Sequence, residues 1–161
     1  MQLTSELVDT DPAGAKALLD ELGRDVQQAL DEAGRLAERI YPPLLDAGGL
    51  AVALRSAAVS AGIPASVEVA ADLSYPPEVA RTVYLCWLDA LEHADAQARA
   101  TITVRKEKGA LAFEFVEDPG RSAPVGLQRL RDRVEALGGQ LTIRPEPGGG
   151  SHVSGSLPLS R

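Results

Sequence analysis

The chain has 161 residues, of which 45% are hydrophobic, enough for one buried core plus a further helical element and too many for a disordered chain. Its formal charge of -7 and pI near 4.8 exclude a generic nucleic-acid-binding surface, which needs clustered Lys and Arg. The single cysteine, Cys86, excludes an intrachain disulfide and reads as a buried structural thiol, and neither cysteine spacing nor a histidine pair offers a structural zinc site.

No apolar run approaches the roughly 20 residues of a membrane span, and the N-terminus lacks a signal peptide's charged and apolar regions. The expected location is therefore cytoplasmic, either as a whole protein or as the cytosolic part of a longer membrane-bound one. Gln2 to Val8 reads as the end of a helix. Asp9-Thr10-Asp11-Pro12 then starts a long one, with Thr10 or Asp11 as cap and Pro12 in the first turn. Within it Ala15, Leu19, Leu22, Val26, Ala29, Ala33, Leu36 and Ile40 recur at alternating spacings of four and three, an a/d seam flanked by charges. Such a seam needs a partner, either its own domain or a second copy, and a helix projecting beyond a small sheet favours the second copy. Tyr41-Pro42-Pro43 ends it.

Gly49 to Ala61 is expected to be an amphipathic helix stopped by Gly62 and Pro64, and Ala65 to Ala70 a strand with Val67 and Val69 on one face. After Pro76-Pro77 a helix runs from about Glu78 to Ala94, with Val79, Val83, Cys86, Trp87, Ala90 and Leu91 at core spacing. Asp89 and His93, four apart, share one face of it; in the plain reading they are a solvated pair on an exposed surface. Residues 100–105 and 110–117 alternate as a hairpin around Lys106-Glu107-Lys108-Gly109, and the second strand delivers Asp118. A helix over 126–137, strands over 140–144 and 152–158, and turns at Gly138-Gly139 and Gly148-Gly149-Gly150 complete the chain. Taken alone, the triple glycine is a hairpin turn.

Taken together and in order, VEDPG, VGLQRLRDRVEALGGQLTI and PGGGSHVSGSLPL resemble the glycine boxes of the ATP-binding domain shared by sensor histidine kinases, gyrase, Hsp90 and MutL, in its histidine-kinase branch. ELGRDVQQALDEAGRLAERIYPPLL resembles the second helix of the dimerisation and phosphotransfer hairpin in kinases that pair with LuxR-type response regulators, and PPEVARTVYLCWLDALEH resembles their N box. The resemblance implies an α+β fold: a two-layer α/β sandwich of the Bergerat or GHKL type. Its mixed, mostly antiparallel sheet is covered on one face by helices 49–61, 78–94 and 126–137 and preceded by a long dimerisation helix. Residues 1–45 are then the stem and 46–161 the ATP-binding domain.

In that family an aspartate reads adenine, which the resemblance carries to Asp118, with Gly120 allowing close approach. Gly126 and Leu127 open the helix under the phosphates, and Gly148, Gly149, Gly150 and Ser151 close the pocket. Asp89 takes the position of the catalytic glutamate and His93 that of the Mg²⁺-holding asparagine, although histidine suits a hard cation poorly. Other departures are the second glycine of the adenine box, a very short lid, and the upstream phosphoacceptor histidine, since the only histidines are His93 and His152. The resemblance thus implies the ATP- and Mg²⁺-binding portion of a two-component sensor kinase with impaired or lost phosphotransfer. The alternative is a non-catalytic, kinase-like dimeric module, a pseudokinase or anti-sigma-factor-like regulator acting by partner contact. Expected partners are a second copy, through the stem, and a response regulator or other regulatory protein, with no nucleic acid and no membrane segment in this chain.

Overall fold

Prolines and glycines delimit the elements of the computed structural model, which describes residues 11–40, 42–71, 74–95, 97–118, 128–145 and 150–159, without the side chains of 35–40. The chain divides into two compact units, Met1–Tyr41 and Pro42–Arg161. The expected helix end at Gln2 to Val8 lies outside the described residues.

In the first unit, helix α1 spans Pro12–Ile40. Asp11 caps it: its Oδ1 accepts the Gly14 N–H at 3.0 Å, and Pro12 occupies the first turn, where its missing N–H costs nothing. The seam residues Leu19, Leu22 and Val26 are 57%, 53% and 58% exposed, with Leu18 and Leu30 exposed beside them. Leu36 and Ile40 lie on the helix, and their side chains are outside the described set.

The second unit begins with α2, Pro43–Ala61, and the expected start at Gly49 is where this helix kinks. Gly49 has φ 74° and ψ 175°, so a helical turn precedes it and the longer run follows. The early turn was hidden by its Pro42-Pro43 start, which is a breaker inside a helix but a good first turn. At 19 residues and a mean hydropathy of 1.3, α2 is long and apolar enough by composition to cross a membrane, which corrects the expectation that no run approached this. Its Leu50, Ala53, Leu54, Ala57 and Ala58 are instead buried in the core. Gly62 ends it in the left-handed region, φ 70°, with the Ile63 N–H reaching back to the Ala58 carbonyl.

Strand β1 (Ala65–Val69) follows, then α3 (Pro77–His93), which starts on Pro77 and carries Glu78 in its first turn. Strands β2 (Arg99–Glu107) and β3 (Ala110–Asp118) form a hairpin turned by Lys108 and Gly109, both at positive φ, as a two-residue turn of this twist requires. Helix α4 (Gln128–Ala136) ends on Gly138, at φ 73°. At the adjoining Gly139 an added Cβ would come within 2.3 Å of the Ser156 carbonyl oxygen, so one glycine serves the turn and the next the close packing. Strands β4 (Gln140–Pro145) and β5 (Ser151–Pro158) complete a five-stranded sheet of order β1-β2-β3-β5-β4, with β1 parallel to β2 and the other pairs antiparallel. This is the two-layer α+β architecture, with the mixed sheet, that the sequence implied.

The sheet's register arranges the core in rows. Val104, Phe113 and Gly155 lie side by side across β2, β3 and β5, as do Ile102, Phe115 and Val153. Every side chain in these rows is 3% exposed or less. The Phe113 and Phe115 rings stack 5.1 Å apart, and Trp87 of α3 meets Phe115 at 5.6 Å. The Trp87 indole N–H donates to the Leu54 carbonyl at 2.9 Å, so α2 and α3 are joined without leaving a buried donor unmet.

Candidate functional site

One more step along the same pleat brings polar groups into the apolar layer. Ala100 of β2 pairs with Glu117 of β3, and continuing the β3–β5 register sets Ser151 opposite Glu117. Glu117 and Ser151 are 8% and 7% exposed. The Ser151 hydroxyl donates to Glu117 Oε2 at 3.2 Å, and the Asp95 N–H, just past α3, donates to Oε1 at 2.8 Å. Over this row lie Trp87, Ala90 and Leu91 of α3 and Ala94 just past its end, and Phe115 and Val153 form the apolar floor behind it. The pocket so formed is a cavity of about 20 Å³ that opens to solvent at its mouth.

Asp118 stands elsewhere. Being one residue on, it has the parity of Val116 and Glu114, pairs across the sheet with Arg99, and is exposed. The second strand therefore carries two adjacent acids to its end and turns only Glu117 toward the pocket. Glu117 was missed because the motif led to the acid beside Pro119-Gly120; strand alternation with Phe113 and Phe115 was the signal that could have found it. Ser151 lines the pocket, and Gly150, buried and at φ 113°, precedes it in the chain. Gly120, Gly126, Leu127, Gly148 and Gly149 lie outside the described residues.

Asp89 and His93 are not a solvated surface pair. Asp89 is 9% exposed, and its Oδ2 lies 3.4 Å from Nη1 of Arg133 on α4. Exposed His93 donates its Nδ1–H to the Asp89 backbone carbonyl at 2.7 Å, so the imidazole meets the helix end and not the carboxylate. The helical period explains this: Asp89 falls on the inward stripe between Cys86 and Trp87 on one side and Ala90 on the other, facing α4. Cys86, fully buried beside them, has its thiol pushed up to about 12, mainly by burial and against the pull of the Arg133 cation.

The Mg²⁺ expectation can be tested on these groups. A carboxylate suits the cation, but at Asp89 a guanidinium already stands beside it, and His93 offers only nitrogen. Among the described residues no three His, Cys, Asp or Glu are grouped to hold a metal ion. The described donor set does not fit Mg²⁺.

Protein-family models and curated proteins give no match to this chain. Solved structures do. The histidine kinase domain of the blue-light activated histidine kinase from Erythrobacter litoralis EL346 matches with TM-score 0.54 and 21% identity, over 66% of this chain and 57% of that one. A longer structure of the same kinase matches with TM-score 0.56 and 21% identity, over 91% of this chain and 51% of that one. The mycobacterial sensor histidine kinase MprB matches with TM-score 0.52 and 15% identity, over 68% of this chain and 91% of that one. The chain spans about half the length of the Erythrobacter kinase structures it matches. Its fold is the one that histidine kinase catalytic domains adopt.

Proposed function

We propose that the chain is a nucleotide-binding, histidine-kinase-like module whose phosphoryl transfer is impaired or lost, and that it dimerises through α1 in the cytoplasm. The observation that carries the nucleotide reading is the pocket under α3, apolar on its walls with one buried carboxylate and one hydroxyl at its end. The fold likeness supports the same reading, although fold alone does not fix activity. The Arg133 guanidinium beside Asp89 supports impaired transfer, because it occupies the carboxylate that would otherwise face a water or a metal.

The exposed stripe of Leu19, Leu22 and Val26 favours the second reading as well, a dimeric module acting by contact with a response regulator or other regulatory protein. Calorimetric titration of ATP and ADP with and without Mg²⁺ separates the two. Binding that Mg²⁺ changes little, with no γ-phosphate label transferred to the chain, supports the proposal; Mg²⁺-dependent tightening with labelled protein means an active kinase. Absence of heat at millimolar nucleotide leaves only the partner-contact reading. For the stem, light scattering should give a dimer that Leu22→Glu converts to monomer, and a monomeric wild type refutes the seam.

A further inference from the structure

We propose that the end of α3 is a strap latched down over the pocket, with the Asp95 N–H as the latch and Glu117 as its keeper, and that a nucleotide enters only when this latch opens. The inference rests on the nucleotide reading above and adds how the site is held shut.

The pocket as it stands is too small for such a ligand. Its cavity of about 20 Å³ has room for about one water molecule, whereas small-molecule sites take roughly 300 Å³ or more. Part of the wall must therefore move, and most of it is fixed. Phe115 and Val153 belong to the core of the sheet, Leu91 is buried, and Trp87 is held by the Leu54 carbonyl and the Phe115 ring. Ala94 is the exception. It is half-buried, lies just past the end of α3 and carries only a methyl group, so moving it exposes little apolar surface.

The residues around Ala94 run between two anchors. Leu91 before them and Ala98 after them are buried, whereas Glu92 and His93 are exposed and Asp95 is half-buried. Local bonds shape this turn and can move with it: the Asp95 Oδ1 accepts the Gln97 N–H at 3.0 Å, and the Asp95 carbonyl accepts the Ala98 N–H at 2.9 Å. The Asp95 N–H differs, because it donates to Glu117 Oε1 on the sheet, 22 residues away in the chain, at 2.8 Å. Glu117 holds it well. A buried carboxylate is costly without donors, and its bond to a backbone N–H is about twice as strong as a neutral one. The Ser151 hydroxyl on the other oxygen comes from β5 and stays with the sheet when the strap lifts. The Asp95 bond is thus the tie that crosses from the strap to the sheet at the edge of the pocket.

Removing the latch donor tests this. Asp95→Pro deletes the N–H, and Ala94, at φ -67° and ψ 147°, already has the conformation that a residue before proline prefers. Asp95→Ala keeps the N–H and loses only the side-chain bond to Gln97, so it is the control. ADP is titrated against the full chain and both variants, read by the fluorescence of Trp87, the only tryptophan, which lines the pocket. Hydrogen exchange by NMR follows the Asp95 amide of wild type with and without ADP. Asp95→Pro is expected to bind ADP about 10-fold more tightly than Asp95→Ala, the scale of one hydrogen bond to a charged group when the binding-competent state is the minor one. Saturating ADP should speed exchange of the wild-type Asp95 amide by about the same factor. Binding to Asp95→Pro alone also supports the latch. An Asp95→Pro affinity no higher than that of Asp95→Ala, or an Asp95 amide as protected with ADP as without it, overturns the latch while the nucleotide reading stands. If Asp95→Pro does not fold, which its melting curve shows, the exchange measurement decides. No ADP binding to wild type or to any folded variant overturns both.

Discussion

Gly155 should be intolerant of even one methyl group. It sits on β5 directly opposite Phe113 of β3, and a Cβ built there would lie 2.2 Å from the ring's Cζ and 2.7 and 2.8 Å from the two adjoining ring carbons. Ordinary carbon contacts are about 3.5–4.0 Å, so the ring must retreat by more than ~1 Å. It has nowhere to go: Phe113 is fully buried and stacked on Phe115, which is in contact with Trp87. Overpacking costs about 1–3 kcal/mol, and a trapped ring puts Gly155→Ala near the upper end, about 3 kcal/mol, less a few tenths recovered from the glycine's backbone entropy. For a domain of this size that is a fall in Tm of about 6–12 °C. Urea denaturation of Gly155→Ala, Phe113→Leu and the double variant measures it. The double variant should be at least ~1 kcal/mol more stable than the sum of the single losses, because the smaller side chain vacates the space the methyl needs. A Gly155→Ala midpoint equal to wild type, or strict additivity, refutes the reasoning. Phe115 also backs the pocket, so the same substitution should weaken ligand binding there.

Arg133→Met should cost about 1–2 kcal/mol in urea, more than a surface pair and less than a fully buried one, because Asp89 is 12% and Arg133 33% exposed in their side chains. A change within error of zero would show that the pair is not holding α3 to α4. Gly62→Ala should lose about 1 kcal/mol by forcing a Cβ into the left-handed cap, read as a lower thermal midpoint. Cys86 gives a pH signature: its thiol moves from 9.0 to about 12 on folding, so above pH 9 the unfolded chain releases a proton that the folded one keeps. Its contribution is complete below pH 9 and is lost as pH rises toward 12. Stability should therefore fall more steeply with alkalinity in wild type than in Cys86→Ala, and parallel slopes would refute it.

What was legible in the sequence was local. A cap at Thr10 or Asp11, a hairpin connection at Lys106-Glu107-Lys108-Gly109 and a helix stop at Gly138-Gly139 act within a few residues of themselves; the structure puts the cap on Asp11, narrows the connection to Lys108-Gly109 and keeps the stop. The start of α2 was obscured because Pro42-Pro43 serves equally as the end of one helix and the first turn of the next. The environment of Asp89 was out of reach for another reason: its cation, Arg133, is 44 residues away and arrives only when α4 packs beside α3.

The choice between Glu117 and Asp118 was legible in principle, and the aromatic residues before them decide it. Sliding β3 by one residue would turn Asp118 toward the pocket and Glu117 toward solvent. It would also turn Phe113 and Phe115 out of the core, because one pleat sets the facing of all four. Each aromatic side chain lost to water costs about 1.5–3 kcal/mol, more than two exchanged carboxylates can return. The two phenylalanines thus select which acid is inside, and the motif glycine that follows has no means of reversing it. Pocket chemistry in this fold is in that sense set from the hydrophobic core outward: Phe113 against Gly155 fixes the register, the register brings Ser151 to face Glu117, and the pair determines what the pocket can accept.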